Sequence, residues 1–252
     1  MEAGPFDIIG DVHGCYDELV RLLGELGYRV DCAGFDAAPP AGRRAVFLGD
    51  LCDRGPMNVE ALRIVMNMVD SGAAYCVAGN HDDKLLRNLR GGHARGAAEP
   101  EDTVDGVRAL GDGFARRAAA FIEALASHYV FDGGKLVIAH AGLKEEFHGL
   151  CSPEVRHFCL YGDTTGERDE HGFPVRRPWM DSYRGSALVV YGHTPLSEVL
   201  ETNNTVCIDT GCVFGGALTA LRYPERELVS VTAARAYFAP VTPLTPGRAG
   251  DR

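Results

Sequence analysis

The segment FDIIGDVHG, residues 6–14, decides how the rest of the chain is read. A short apolar run enters Gly10, and an Asp and a His two residues apart follow before a second glycine. Such a run bounded by glycine fits a buried strand, which puts Asp11 and His13 on the tight turn at its carboxyl end. One turn of this kind is an ordinary polar loop, but the pattern recurs. RRAVFLGD (43–50), AAYCVAGN (73–80), KLVIAHAG (135–142), ALVVYGH (187–193) and NTVCIDTG (204–211) are apolar stretches that each run at once into glycine with Asp, Asn or His.

Between these runs, YDELVRLLGELG (16–27), VEALRIVMNMVDSG (59–72) and FARRAAAFIEALASH (114–128) space apolar residues by three and four, which predicts helices. Strands alternating with helices give an α/β core whose central strands are covered on both faces, and ligands of such sheets bind beyond the strands' carboxyl ends. HYVFDGGKLVIAH predicts a hairpin turning at Gly133-Gly134, and GALTALRYPERELVSV one turning near Pro224-Glu225. Segments 34–44, 90–106 and 161–179 read as loops. A single domain is expected over 1–238, with 239–252 as a tail.

Composition narrows the function classes. The chain has 252 residues, 46% hydrophobic and 24% charged, enough for one large core. No apolar run approaches the roughly 18 residues of a membrane span and no signal peptide is visible, so the expectation is a cytoplasmic protein without a membrane partner. Eight cysteines without a CxxC pair argue against a disulfide framework or zinc ribbon and predict buried reduced thiols. A net charge of −10 with no Lys/Arg cluster beyond pairs excludes a long grip on a duplex. An anionic substrate then needs concentrated positive charge, which a bound metal supplies.

Pooled, the strand ends offer Asp11, His13, Asp50, Asn80, His140 and His193. Carboxylate, amide and imidazole donors suit Mn2+, Fe, Co2+, Ni2+ or Zn2+ and lack the thiolates of a structural zinc site. Two ions fit the count: one held by Asp11 and His13, another by Asn80, His140 and His193, with Asp50 between them.

GDVHG (10–14), GDLCDRGP (49–56), GNHDDK (79–84), HAG (140–142) and GHTP (192–195) resemble the signature of the binuclear metallophosphoesterases, on the branch with the phosphoprotein phosphatases and symmetrical diadenosine tetraphosphate hydrolases. The resemblance implies an α/β fold, a two-layer mixed β-sandwich flanked by helices (the calcineurin-like fold). It also implies two divalent transition metals, Mn2+ first, with Ni2+ or Co2+ as alternatives. HYVFDGGKLVIAHAGLKEE, YGDTTGERDEHGFPVRRPW and NNTVCIDTGCVFGGALTALRYPERELVSV are similar to the phosphatase module of bacterial polynucleotide kinase-phosphatases that repair RNA ends. That likeness implies removal of 2′-, 3′- or 2′,3′-cyclic phosphate from an RNA 3′-end or a nucleotide by a metal-activated water. The alternatives are a phosphoprotein or a dinucleoside polyphosphate substrate. Neither a GxxxxGK[ST] loop nor a ligase lysine motif is present, so the expected form is a freestanding phosphatase or a central domain whose kinase and ligase modules belong to a longer parent.

Arg54 offers a planar fork for two phosphate oxygens, and in the family this arginine clamps the phosphate. His81, directly after Asn80, suits a general acid, and Asp53 resembles the carboxylate that orients it. Asp209 in CIDTG has two open readings, an active-site aspartate as in the polynucleotide-phosphatase branch or a turn cap before Thr210-Gly211. Asp82 and Asp83 read as first-turn helix residues without chemistry. His93, His128, His148, His157 and His171 read as surface or core, and the loop with His171 and Arg176-Arg177 reads first as solvated, with substrate contact as the alternative.

Overall fold

A computed structural model describes residues 2–91 and 101–246, with backbone alone at 101 and 102. In chain order the strands are β1 (Phe6–Ile9), β2 (Arg29–Asp31), β3 (Asp36–Ala38), β4 (Arg44–Phe47), β5 (Ala74–Cys76), β6 (His128–Phe131), β7 (Leu136–Ala139), β8 (Thr164–Arg168), β9 (Pro174–Arg176), β10 (Leu188–Tyr191), β11 (Leu200–Thr202), β12 (Thr205–Cys207), β13 (Ala217–Tyr223) and β14 (Glu227–Thr232). The helices are α1 (Tyr16–Glu25), α2 (Asn58–Asp70), α3 (Asn80–Leu89), α4 (Glu101–Ala109), α5 (Asp112–Ala124), α6 (Pro153–Tyr161) and α7 (Trp179–Ser182).

Two five-stranded mixed sheets form the sandwich, ordered β14-β13-β1-β4-β5 and β11-β12-β10-β7-β6. Each is built around three parallel strands, β1, β4 and β5 in the first and β7, β10 and β12 in the second. Antiparallel strands flank those trios: the β13-β14 hairpin on one side of the first, and β6 and β11 at the two edges of the second. Between the sheets lie Phe6, Ile8, Val46 and Leu48 against Leu136, Ile138, Val190 and Val206. Strand alternation turns the intervening residues outward, where they are buried again. Ile9, Ala45 and Phe47 pack with Leu19, Leu22 and Leu23 of α1 and Leu62 and Val65 of α2, while Val137, Val189 and Tyr191 pack under Phe158 and Trp179. Burial on both faces is why these strands read as continuous apolar runs rather than alternating ones. Each such buried side chain contributes about 1.5–3 kcal/mol.

Asp7 is the exception on β1. It is fully buried yet paired, accepting from Arg43 Nε at 3.0 Å, Tyr28 Oη at 3.1 Å and Arg222 Nε at 3.3 Å. Among the described residues, no helix is long and apolar enough to cross a membrane.

Both expected hairpins form, Phe131 pairing with Leu136 and Arg222 with Glu227. The three expected loops need correction. Residues 161–179 contain the β8-β9 ribbon, 34–44 contains β3 paired with β2, and 101–106 belong to α4. These ribbons have mostly exposed or half-buried strands, so no apolar periodicity marks them, and their Gly and Pro content reads as loop. Residues 92–100, with His93, lie outside the described residues. Six of the eight cysteines are buried free thiols as expected, but Cys32 and Cys151 are exposed. From the segment expected as a tail, Thr245 accepts a hydrogen bond from Ser197 N at 3.1 Å through its carbonyl oxygen.

Candidate active site

All the sequence-predicted site residues arrive at one edge of the sandwich, because parallel strands end there. Asp11 and His13 follow β1, Asp50 follows β4, and Asn80 and His81 follow β5. His140 follows β7, His193 follows β10 and Asp209 follows β12. The turns that deliver them are strained. His13, Asp50, Asp53, Arg54 and His193 have φ of 43°, 48°, 76°, 71° and 70°, five of the nine non-glycine residues with positive φ among the described residues. Such conformations cost on the order of 1–3 kcal/mol each and persist where the surroundings over-determine them. Close backbone approach requires glycine beside them: a Cβ on Gly55 would overlap the His13 carbonyl oxygen, and one on Gly192 the Asp11 carboxylate.

His13 Nδ1 donates to the Cys52 carbonyl oxygen at 3.0 Å and His140 Nδ1 to the Leu48 carbonyl oxygen at 2.9 Å. Carbonyls cannot donate, so the ring protons are committed there and each Nε2 carries a lone pair. Burial holds the His140 imidazole down to about 4 and lowers His13 well below the usual range, the latter with help from Arg54 and His81, which keeps both rings neutral. Other ligating groups crowd around these two nitrogens. His140 Nε2 lies 3.0 Å from Asn80 Oδ1, 3.0 Å from His193 Nδ1 and 3.5 Å from Asp50 Oδ2, while His13 Nε2 also lies 3.5 Å from Asp50 Oδ2. Asp11 Oδ2 accepts from His193 N at 3.0 Å, and its buried Oδ1 has no hydrogen-bond partner among the described residues.

Imidazole nitrogens, carboxylate and amide oxygen converging in this way form a donor set that suits a borderline divalent transition metal. The ligand atoms of His13, Asp50 and His81 lie within 4.8 Å of one another, as do those of Asp50, His140 and His193, so Asp50 is common to both groups. In the first group His81 stands where the sequence reading had put Asp11. Burial pushes Asp50 and Asp209 up to about 7; it also raises Asp11 well above the carboxylate range, with the Asp209 and Asp50 charges adding to the effect. A bound cation opposes all three shifts.

His81 Nδ1 meets Asp53 Oδ2 at 2.7 Å, and Thr103 Oγ1 donates to Asp53 Oδ1 at 2.8 Å, so the aspartate is held from both oxygens. Burial first, then the Arg54 and Lys84 charges, lowers His81 well below the ordinary histidine value. The Arg54 guanidinium rests over the Phe214 and Phe238 rings, 5.5 and 5.9 Å from their centroids, with Nη1 3.4 Å from His13 Nε2. Asp209 Oδ1 accepts from Gly211 N at 3.1 Å, the turn-capping arrangement.

Three residues escaped the sequence reading. Asp82 is fully buried and accepts from Asp50 N at 2.9 Å, Gly79 N at 3.0 Å and Leu51 N at 3.0 Å, tying the turns after β4 and β5 together. The first-turn position was legible, but the inward direction of the carboxylate was not. Thr103 falls in a segment read as loop. Arg176 is not in a solvated loop: it is half-buried, donates from Nε to the Tyr161 carbonyl oxygen at 2.8 Å, and its charge depresses both His140 and His193. Arg177 next to it is exposed and pairs with Asp163 at 3.2 Å, a difference set by ribbon register. Asp83 behaves as a helix-surface residue, pairing with Arg87 and Arg156.

A model of the calcineurin-like phosphoesterases matches residues 4–197. Bis(5′-nucleosyl)-tetraphosphatase PrpE [asymmetrical] of Geobacillus sp. (strain WCH70) is 45% identical over 235 residues, covering 92% of this chain and 95% of that protein. The protein of the same name from Bacillus subtilis (strain 168) is 42% identical over 242 residues, covering 92% and 96%. These names point to a dinucleoside polyphosphate where the sequence reading pointed to an RNA end. Two solved structures share the fold. One, provisionally described as a diadenosine tetraphosphatase, superposes with a TM-score of 0.64 at 23% identity, covering 92% of this chain and 94% of that one. The other, a protein serine/threonine phosphatase from Saccharomyces cerevisiae, gives 0.61 at 14% identity, covering 94% and 80%. With its fold, its strand-end donors and these relatives in agreement, the chain belongs to the calcineurin-like phosphoesterase family, metal-dependent enzymes that hydrolyse phosphoester bonds.

Proposed function

We propose that the chain hydrolyses dinucleoside tetraphosphates unequally: one water is consumed, one P–O–P bridge breaks, and a nucleoside triphosphate and a nucleoside monophosphate leave. The observation that carries the chemistry is the set of acceptors converging on Asp50 beside the Arg54 guanidinium. The choice of substrate rests on the names of relatives more than 40% identical over nine-tenths of both chains. Asp11, His13 and Asp50 would hold one divalent ion, leaving His81 beside it for proton transfer, and Asp50, Asn80, His140 and His193 would hold a second. Two such ions supply positive charge to phosphate oxygens and bring the pKa of water into the neutral range.

The chain's own groups do the rest. Arg54, its plane fixed by Phe214 and Phe238, takes two non-bridging oxygens of the phosphate under attack. Arg176 adds positive charge on the His140 and His193 side. An incoming polyanion offsets the Arg54 charge that depresses His81, so His81 gains proton affinity as substrate binds. With Nδ1 held by Asp53, Nε2 is the atom that delivers the proton to the departing oxygen. Asp209 acts through the turn it caps.

Product analysis tests this reading. Diadenosine tetraphosphate with Mn2+ should give ATP and AMP in equal amounts. Two ADP would make the enzyme a symmetrical hydrolase. Turnover confined to 2′,3′-cyclic or terminal 2′- or 3′-phosphates would restore the RNA-end reading, and a phosphopeptide as the sole substrate would move it to the protein phosphatases.

A further inference from the structure

A second group of ligating side chains lies behind the Arg54 shelf. Cys15, Glu18 and Cys212 are 0%, 1% and 2% exposed, and both sulfurs and a Glu18 carboxylate oxygen lie within 4.8 Å of one another. Cys15 sits at the start of α1 with Glu18 three residues on, on the same face, and Cys212 comes from the turn after β12. Glu18 Oε1 is fully occupied, accepting from Ala234 N and Tyr237 Oη, both at 2.9 Å. Its Oε2 is buried with no hydrogen-bond partner among the described residues. An unpaired buried carboxylate oxygen costs about 1–3 kcal/mol or more, and this carboxyl group lies beside two thiols in the interior.

We infer that Cys15, Glu18 and Cys212 form a site for one thiophilic divalent cation of the Zn2+ class, separate from the nitrogen- and oxygen-donor centre around Asp50. Two thiolates and a carboxylate select Zn2+ or Cd2+ over Mn2+ by softness, so the two sites sort metals by ligand chemistry. The His13 carbonyl oxygen, 3.8 Å from Cys15 Sγ, is a further oxygen at the same place. Binding replaces the two thiol protons, which leave to solvent, by two sulfur–metal bonds and one oxygen–metal bond. No oxidant takes part. The occupied site joins three segments that shape the phosphoesterase centre: the turn carrying His13, the turn after Asp209, and residues 234–238, whose Phe238 supports Arg54.

Sulfur gives the test its signature, because the Asp50 centre has no thiolate. The full chain carrying Cys32→Ser and Cys151→Ser, which removes the exposed thiols, is loaded with excess Mn2+ and titrated with Cd2+. A thiolate-to-cadmium charge-transfer band should grow and saturate at one equivalent per chain. Cys212→Ser should lose the band, and the near-isosteric Glu18→Gln, which keeps both sulfurs, should retain it with affinity about tenfold weaker. His140→Ala, which cripples the other centre, should leave it intact. Absence of the band in the folded Mn2+-loaded protein overturns the site, as does a band that survives in both Cys15→Ser and Cys212→Ser. If Cys212→Ser does not fold, Glu18→Gln decides alone, unchanged affinity being the overturning result.

Discussion

The two sheets bring their strand ends to the same edge but hold them by different means. At the first sheet, the turns after β4 and β5 are laced by protein hydrogen bonds: Asp82 accepts from three backbone amides, Asp50 Oδ1 from His81 N at 2.9 Å, and Asp53 is fixed by His81 and Thr103. At the second sheet, His140 Nδ1 is anchored by one carbonyl oxygen from the opposite sheet, and the buried His193 Nε2 has no hydrogen-bond partner among the described residues. The first half is therefore organised by the chain itself. The second brings His140, His193 and Asp50 together as a group suited to a divalent cation.

That contrast breaks most visibly on the second-sheet side. His140→Ala should abolish turnover and lose bound metal, matching what a chelator does to the wild type, with activity after chelation restored better by Mn2+, Co2+ or Ni2+ than by Mg2+, which disfavours imidazole-rich sites. Full activity in the metal-free protein would end the two-ion reading. On the first-sheet side, Asp82→Ala should cost folding free energy rather than metal chemistry alone: three buried amides lose their acceptor, a loss of about 3 kcal/mol or more in chemical denaturation. A change under 1 kcal/mol would show that water replaces the carboxylate.

His81→Ala separates the halves from another direction. Metal content should stay near wild type while turnover falls roughly 10²-fold or more on substrates with poor leaving oxygens and least on an activated aryl ester. Because the His81 ligand atom lies within 4.8 Å of those of His13 and Asp50, metal loss equal to that of His140→Ala would instead make it a ligand. Thr103→Val, removing one hydroxyl donor to Asp53, should lower turnover only about fivefold, the worth of a single hydrogen bond.

The same contrast governs what was legible in sequence. Strand-end residues stood out because fully buried parallel strands leave continuous apolar runs, and each run stops where the chain turns at the site. FDIIGDVHG and KLVIAHAG thus show their donors by position alone. Asp82, Thr103 and Arg176 did not stand out, since each acts through orientation. Asp82 is distinguished from half-buried, ion-paired Asp83 only by helix phase, and Arg176 from Arg177 only by the register of a ribbon with no apolar pattern. The proposed dinucleoside substrate is written in no strand-end motif and rests on the names of relatives.

The smallest expected effect is the pH response of the metal-free protein. Asp50, Asp82 and Asp209 are pushed by burial up to about 7, above their unfolded value near 3.8. Their neutral forms therefore favour the fold at low pH, and that contribution is lost as pH rises through about 7. His140 is held down to about 4 from 6.5, so its contribution is present above 6.5 and lost as pH falls toward 4. Below 6.5 the two oppose. Above it only the carboxylates change, Asp11 among them because burial raises it well above the carboxylate range, and in chelator the Tm should fall as pH rises through about 7, by a few degrees for a change of about 1 kcal/mol in a domain of this size. With saturating Mn2+ the slope should reverse, because protons no longer compete for the ligands as pH rises. Thermal unfolding across this range, with and without metal, measures both slopes. Identical slopes would mean that the buried carboxylates do not meet the ion, and that the two halves of the site are held in the same way.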